Sequence, residues 1–202
     1  MRHPDPNFLY PSPSLIEQEL TQGRPQSQQA TSFMRRGSKV LGSHIDATTW
    51  DEALSRIVKW ADQHQSRYVT LCNVHSVVTA NQDALFHSVI AGADLALPDG
   101  APVAWSMRKD GFPEQQRLSG PELMCRYLAE AEKIGQSVFF YGSSESTLVR
   151  LRDKIKEKFP ALNVAGAVSP PFRELSSEED QAYVDQINQS GAHVVFVSLG
   201  CP

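Results

Sequence analysis

The chain is poor in cysteine, with Cys72, Cys125 and Cys201 alone among 202 residues. So sparse and odd a set makes no disulfide framework and fits a reducing compartment, which predicts a cytoplasmic protein. No run of about 18 apolar residues is present to span a bilayer, and the N-terminus lacks the apolar core of a signal peptide. Any membrane contact is therefore peripheral. An excess of positive charge is also lacking. The 19 basic residues stand against 23 acidic ones, a net of −4, so the footprint of a duplex nucleic-acid binder is missing and no nucleic-acid partner is expected. The glycines form no G-x-G-x-x-G, G-x-x-x-x-G-K-[ST] or G-x-S-x-G pattern, which weighs against a dinucleotide fingerprint, a P-loop and a hydrolase elbow. There is no Asp-x-Asp to hold a divalent cation. Cys72-x-x-His75 lacks partner ligands, and His3, His44, His64, His87 and His193 show no ligand spacing, so no metal site is predicted.

What is present is the composition of a soluble globular chain, 41% hydrophobic and 21% charged, of a length that suits one domain with an appendage. Residues 1–37 hold Pro4, Pro6, Pro11, Pro13, Pro25 and Gln26-Ser-Gln-Gln29. They read as a disordered Pro/Gln-rich tail, with at most a short helix at Ser14–Thr21 and a solvated Arg35-Arg36 pair. From 38 to 202 strands alternate with helices. Val40–Ile45 reads as a strand, and Thr48 or Thr49 caps a helix with the apolar face Trp50, Leu54, Ile57, Val58 and Ala61. A strand at Tyr68–Cys72 turns at Asn73 into a helix, and a second helix closes on Gly92. A short buried strand at Leu95–Leu97 breaks at Pro98-Asp99-Gly100 and a helix starts near Pro102. Helices at Pro121–Ile134, Glu145–Phe159 and Ser177–Ser190 alternate with strands at Ser137–Tyr141, Asn163–Val168 and His193–Leu199. This order predicts an α/β fold with a mostly parallel, Rossmann-like sheet and helices on both faces. The chain stops just past its last strand without a covering helix, so a C-terminal truncation and self-association along that edge are expected.

In open sheets of this kind ligands lie beyond the carboxyl ends of the strands. Asp99 ends an apolar strand there, where burial disfavours its charged form and suits it to general-base work. A turn carboxylate that caps the next helix is the alternative. Asn73 ends a neighbouring strand and either holds a substrate hydroxyl or caps its helix. Arg117 precedes a helix N-terminus, where a guanidinium and free N–H groups suit a diphosphate, or else it is a solvated arginine. The Gly142-Ser143-Ser144 turn either cradles a phosphate or only turns the chain. Phe172 and Arg173, framed by Pro170 and Pro171, offer an aromatic plane and a cation; the ring either stacks on a base or plugs the core.

Five pieces in order give a resemblance. They are Thr70-Leu-Cys-Asn73, Asp94–Pro98 followed by Asp99-Gly100, Arg117–Gly120 followed by Pro-Glu-Leu, Phe139–Ser143, and Phe196-Val-Ser-Leu-Gly200-Cys-Pro202. From about Val40 to Pro202 the chain resembles the WecG/TagA/CpsF glycosyltransferases, glycosyltransferase family 26. The resemblance implies inverting transfer of a sugar from a UDP-sugar to a polyprenyl-diphosphate-linked saccharide, at the inner face of the plasma membrane, in cell-surface or exopolysaccharide biosynthesis. It implies no cofactor and no metal. Asp99 matches the base and Asn73 its active-site neighbour. Thr70, Arg117, Gly142, Ser143, Phe172 and Gly200 match substrate-binding positions. Pro170-Pro171-Phe172 stands where the family commonly has Gly-Tyr-Phe, so only Phe172 carries over. The family's C-terminal appendage, with further basic residues and membrane attachment, does not follow Pro202, and a homo-oligomer is a possible assembly. The alternatives from other classes are a non-catalytic nucleotide-binding module of the same fold and a dehydrogenase, the latter disfavoured by the missing glycine fingerprint.

Overall fold

A computed structural model describes residues 35–200. Most of the expected tail, the helix expected at Ser14–Thr21, and Cys201 and Pro202 lie outside the described residues. Arg36 is not simply solvated: its carbonyl accepts from Ala47 N–H at 2.9 Å, and its guanidinium lies 5.5 Å from the Phe112 ring centroid.

The strand expected over Val40–Ile45 is instead two strands, β1 (Gly37–Val40) and β2 (Ser43–Asp46), paired antiparallel with Val40 opposite Ser43. The connection is Leu41-Gly42, with φ of 48° and 88°. Two successive left-handed residues are the tight hairpin turn that matches strand twist. Helix α1 (Trp50–Asp62) starts at Thr49, whose hydroxyl accepts from Glu52 N–H while the Glu52 carboxylate reaches back to Thr49 N–H. This reciprocal cap holds the Glu52 carboxyl below its ordinary range, chiefly through the Thr49 backbone bond.

Strand β3 (Val69–Cys72) pairs in parallel with β4 (Leu95–Pro98). Between them run α2 (Val74–Gln82) and α3 (Ala84–Gly92), the latter capped by Asp83. After β4 come α4 (Ala101–Lys109) and α5 (Gly120–Ile134), and α5 closes on the left-handed Gly135. Strand β5 (Ser137–Gly142) lies between β6 (Asn163–Val168) and β7 (Val194–Ser198), parallel to both. Helices α6 (Glu145–Lys158) and α7 (Ser177–Gln189) make the crossovers. The architecture is α/β, with parallel strands beside the β1-β2 hairpin, its described strands falling into three sheets: β1-β2, β3-β4 and β6-β5-β7. Where β2 meets β4 a side chain replaces the ladder, since the buried Asp46 carboxylate accepts from Ala96 N–H at 2.6 Å.

Burial follows the pairing. All four residues of β4, and Val138, Phe139 and Phe140 of β5, are buried, as parallel strands covered on both faces require. Tyr127, Leu128 and Ala131 of α5 pack with Val138, Phe140 and Phe196, and Leu118 and Leu123 pack with Leu95 and Leu97. Helix α5 begins beside the end of β3, where a Cβ on Gly120 would meet Leu71 Cδ1 at 3.0 Å, and it ends just before β5 begins. The carboxyl ends of β4 and β5 therefore face the same side.

Candidate active site at the strand ends

At the end of β3, Asn73 caps α2. Its Oδ1 accepts from Ser76 N–H at 2.9 Å and from the Ser76 hydroxyl at 3.1 Å. The cap occupies Oδ1 and leaves the amide NH₂ as the donor for a ligand. At the end of β4, Asp99 N–H donates to the Cys72 carbonyl at 3.0 Å, which ties the two strand ends together. The Asp99 carboxylate is not a helix cap. Gly100 holds the cap position of α4 at φ 90° and makes no side-chain cap bond. A Cβ on Gly100 would lie 3.9 Å from Asn73 Cβ, so the two caps adjoin.

Arg117 completes the group from eighteen positions along the chain, its Nε donating to Asp99 Oδ1 at 3.4 Å. The carboxylate is 21% exposed and the guanidinium 56% exposed, so both partners face solvent and an incoming anion can take over the arginine. The segment that carries Arg117 is fixed from both sides. Leu118 N–H donates to the Pro98 carbonyl at 2.8 Å. Two residues upstream, the buried Gln115 side chain accepts from Thr48 N–H at 3.0 Å and donates to the Thr48 and Gln116 carbonyls. Arg108 Nη1 adds a bond to the Gln115 carbonyl at 2.9 Å. Sequence reasoning missed Gln115, because one glutamine of a Gln-Gln pair carries no signal of burial.

Ser119, the cap residue of α5, also makes no side-chain cap bond. The first N–H groups of α4 and α5 thus meet no capping side chain, the condition under which a helix N-terminus receives an anion. Thr70, half-buried in β3, sits with its hydroxyl 3.5 Å from Cys72 Sγ.

A second group lies at the carboxyl end of β5. Gly142 has φ 115°, and a Cβ there would lie 2.5 Å from the Ser198 carbonyl oxygen. Ser143, left-handed at φ 65°, donates its N–H to that same carbonyl at 3.0 Å and accepts from the Ser169 hydroxyl at 2.6 Å. Ser144, not Ser143, caps α6. Gly200, at φ 95°, follows β7. The preceding Tyr141 lies 5.6 Å from Tyr183, and burial pushes its hydroxyl up, with Asp180 and Tyr183 adding to the effect. Phe172 is fully exposed and plugs no core. Arg173 is bound through both terminal nitrogens to the Glu179 carboxylate, at 2.7 and 2.6 Å.

The structure brings Asn73, Asp99 and Arg117 together, and gathers Gly142 and Ser143 at the end of β5. Among the described residues no group of three or more His, Cys, Asp or Glu side chains is placed to hold a metal ion. Among them, too, no helix is long and apolar enough to cross a membrane.

The sequence profile of the glycosyl transferase WecG/TagA/CpsF family matches residues 38–202. A curated relative is the N-acetylglucosaminyldiphosphoundecaprenol N-acetyl-beta-D-mannosaminyltransferase of Bacillus spizizenii. It is 28% identical over 143 residues, which cover 71% of this chain and 54% of the relative. The chain therefore spans about half the length of that relative.

Proposed function

The chain belongs to the glycosyl transferase WecG/TagA/CpsF family, and from that premise we propose that it moves a sugar from a UDP-sugar to a saccharide carried on a polyprenyl diphosphate, with inversion. The observation that carries this reading is the Asn73–Asp99–Arg117 group beside two helix N-termini without capping side chains. Asp99 takes the proton of the acceptor hydroxyl as that oxygen bonds to the anomeric carbon. The bond from that carbon to the UDP oxygen breaks, and UDP leaves with the electron pair. A single displacement of this kind inverts the configuration. Arg117 and the free N–H groups of α4 and α5 meet the charge of the departing diphosphate, a role filled without a metal in this reading.

The Asn73 amide orients a sugar or acceptor hydroxyl, and Thr70 lines the floor of the site. Gly142, Ser143, Gly200 and the exposed Phe172 receive the nucleotide. On this reading the protein works peripherally at the inner face of the plasma membrane, in the assembly of a cell-surface polysaccharide. The substrate in the relative's name, N-acetylglucosaminyldiphosphoundecaprenol, is the first acceptor to test. A UDP-release assay with that acceptor and a panel of UDP-sugars, with and without EDTA, decides the matter. Acceptor-dependent UDP release, undiminished by EDTA, is expected. Binding of UDP with no release for any donor would favour a nucleotide-binding module, and rescue of a chelated enzyme by Mg²⁺ or Mn²⁺ alone would remove the metal-free mechanism.

A further inference from the structure

The site opens beside a surface that the proposed chemistry does not use. Helices α2 and α4 start at the adjoining residues Asn73 and Gly100, and bury Val77, Ala80, Val103 and Met107 in one core cluster. Their exposed residues mix apolar and polar side chains, with His75, Asn81 and Gln82 on α2 and Arg108 and Lys109 on α4. Trp105 is 57% exposed, and Val74 and Val78 of α2 are exposed as well. Trp105 lies about 7 Å along the helix axis from Gly100. One turn further, Lys109 Nζ stands 5.8 Å from the Trp105 ring centroid, and Arg108 is exposed beside it.

Charge narrows the choice of occupant. Helices α2, α3 and α4 contain no aspartate or glutamate, in a chain of net charge −4. Of the acids that flank them, Asp83 caps α3, Asp110 accepts from the Ser38 hydroxyl, and Asp99 meets Arg117 through Oδ1. A second copy whose two-fold axis passed beside Arg108 and Lys109 would bring these cations together. A tryptophan beside two basic residues and exposed aliphatic side chains, on helices that themselves carry no acid, is instead the chemistry of a bilayer interface with anionic headgroups.

We propose that the outer face of α2 and α4, centred on Trp105 and Lys109, rests on an anionic lipid bilayer and holds the Asn73–Asp99 site beside a membrane-borne acceptor. The inference rests on the proposed acceptor class, but its test does not need turnover. The full chain is sedimented with phosphatidylcholine vesicles and with vesicles that also contain phosphatidylglycerol, and tryptophan emission is recorded. Binding that depends on phosphatidylglycerol is expected, with a blue shift that Trp105→Phe abolishes against the background of Trp50 and Trp60. Lys109→Gln should weaken binding about fivefold, as one interfacial cation does, and Trp105→Ala should weaken it further. The thermal melts of both variants should match the wild type, since both side chains are exposed. Transfer to a short-chain, water-soluble acceptor should be unchanged in the variants, while transfer to the long-chain acceptor in vesicles falls. Equal vesicle binding by wild type and Trp105→Ala, or no binding by the wild type, would overturn the inference. Vesicle binding that depends on Trp105 without any sugar transfer would uphold it and sink only the transferase reading.

Discussion

Among the carboxylates at the strand ends, Asp99 differs from its neighbours in what it lacks. Asp94 accepts from Arg67 Nη1 and from Tyr68 N–H, and Asp46 holds Ala96 N–H; these are structural bonds that fix the start of β3 and the middle of β4. Asp99 has one long bond to an exposed guanidinium and, among the described residues, no partner on Oδ2. In the proposed reaction that oxygen is the one available to the acceptor hydroxyl. Asp99→Asn preserves shape and removes the proposed base, so on the proposed mechanism transfer should fall by about 10²–10⁴ while UDP affinity stays within a few-fold. Turnover and calorimetric titration with UDP check the two halves, and an Asn variant as active as the wild type at neutral pH would end the assignment. Gly142 and Ser143 present the opposite case, two left-handed residues of different need. Gly142→Ala drives a methyl group into the Ser198 backbone at a φ of 115°. Neither strand can yield without breaking its register, so a loss of at least about 2 kcal/mol is expected, read as a drop of several degrees in Tm. Ser143→Gly, at φ 65° on an exposed position, should leave Tm nearly unchanged.

At the scale of elements, α7 depends on its first turn. None of its 13 residues is buried, so little core packing holds it, and the Ser176–Glu179 capping box with the Arg173 fork does more of the work than at any buried helix. The Arg173 side chain, followed by the Ser176 N–H, lowers the Glu179 carboxyl from 4.5 to about 2. A carboxyl depressed in the folded state stabilises above its unfolded value, and that contribution is lost as pH falls through its folded value. Amide protection in α7, measured relative to α5, should therefore fall between pH 4.5 and about 2 in the wild type. Glu179→Gln should lower protection at neutral pH and abolish that acid step; an unchanged step would place the dependence elsewhere. Elements of this kind were legible in the sequence where local chemistry decides them. Thr49 before an amphipathic run, Gly135 after one and Pro98-Asp99-Gly100 after Leu95-Ala96-Leu97 each mark a boundary that the chain obeys. The hairpin at Leu41-Gly42 was not legible, because leucine is a poor turn former and the surrounding residues alternate as one strand would. The pairing of Arg117 with Asp99 was also hidden. Both positions were singled out, but only the dock of Leu118 on Pro98 and the buried Gln115 bring them within reach.

At the scale of the whole molecule, the three described sheets leave their edges unequally protected. The Ala96 N–H of β4 is taken up by the Asp46 side chain. Strand β7 pairs only with β5 among the described residues, and its partner-free edge carries Val194-Val-Phe-Val197 with no charge and no proline. Val197 is 65% exposed and Leu199 is 56% exposed. An apolar strand with unpaired N–H and C=O groups is a template for another strand, and natural proteins blunt such edges with lysine, proline, a bulge or a covering segment. No lysine, arginine or proline lies between His193 and Gly200. The chain of residues 1–202 should therefore self-associate at micromolar concentration, with light scattering that rises with time and temperature. Val197→Lys places a charge on an already exposed position, so it should reduce the scattering without lowering Tm. Phe196→Lys, by contrast, would disturb the stack on Phe140 at 5.6 Å and unfold the ladder. The pair of variants separates edge association from loss of fold. A monodisperse wild-type monomer, or scattering untouched by Val197→Lys, would show that β7 is not the adhesive edge.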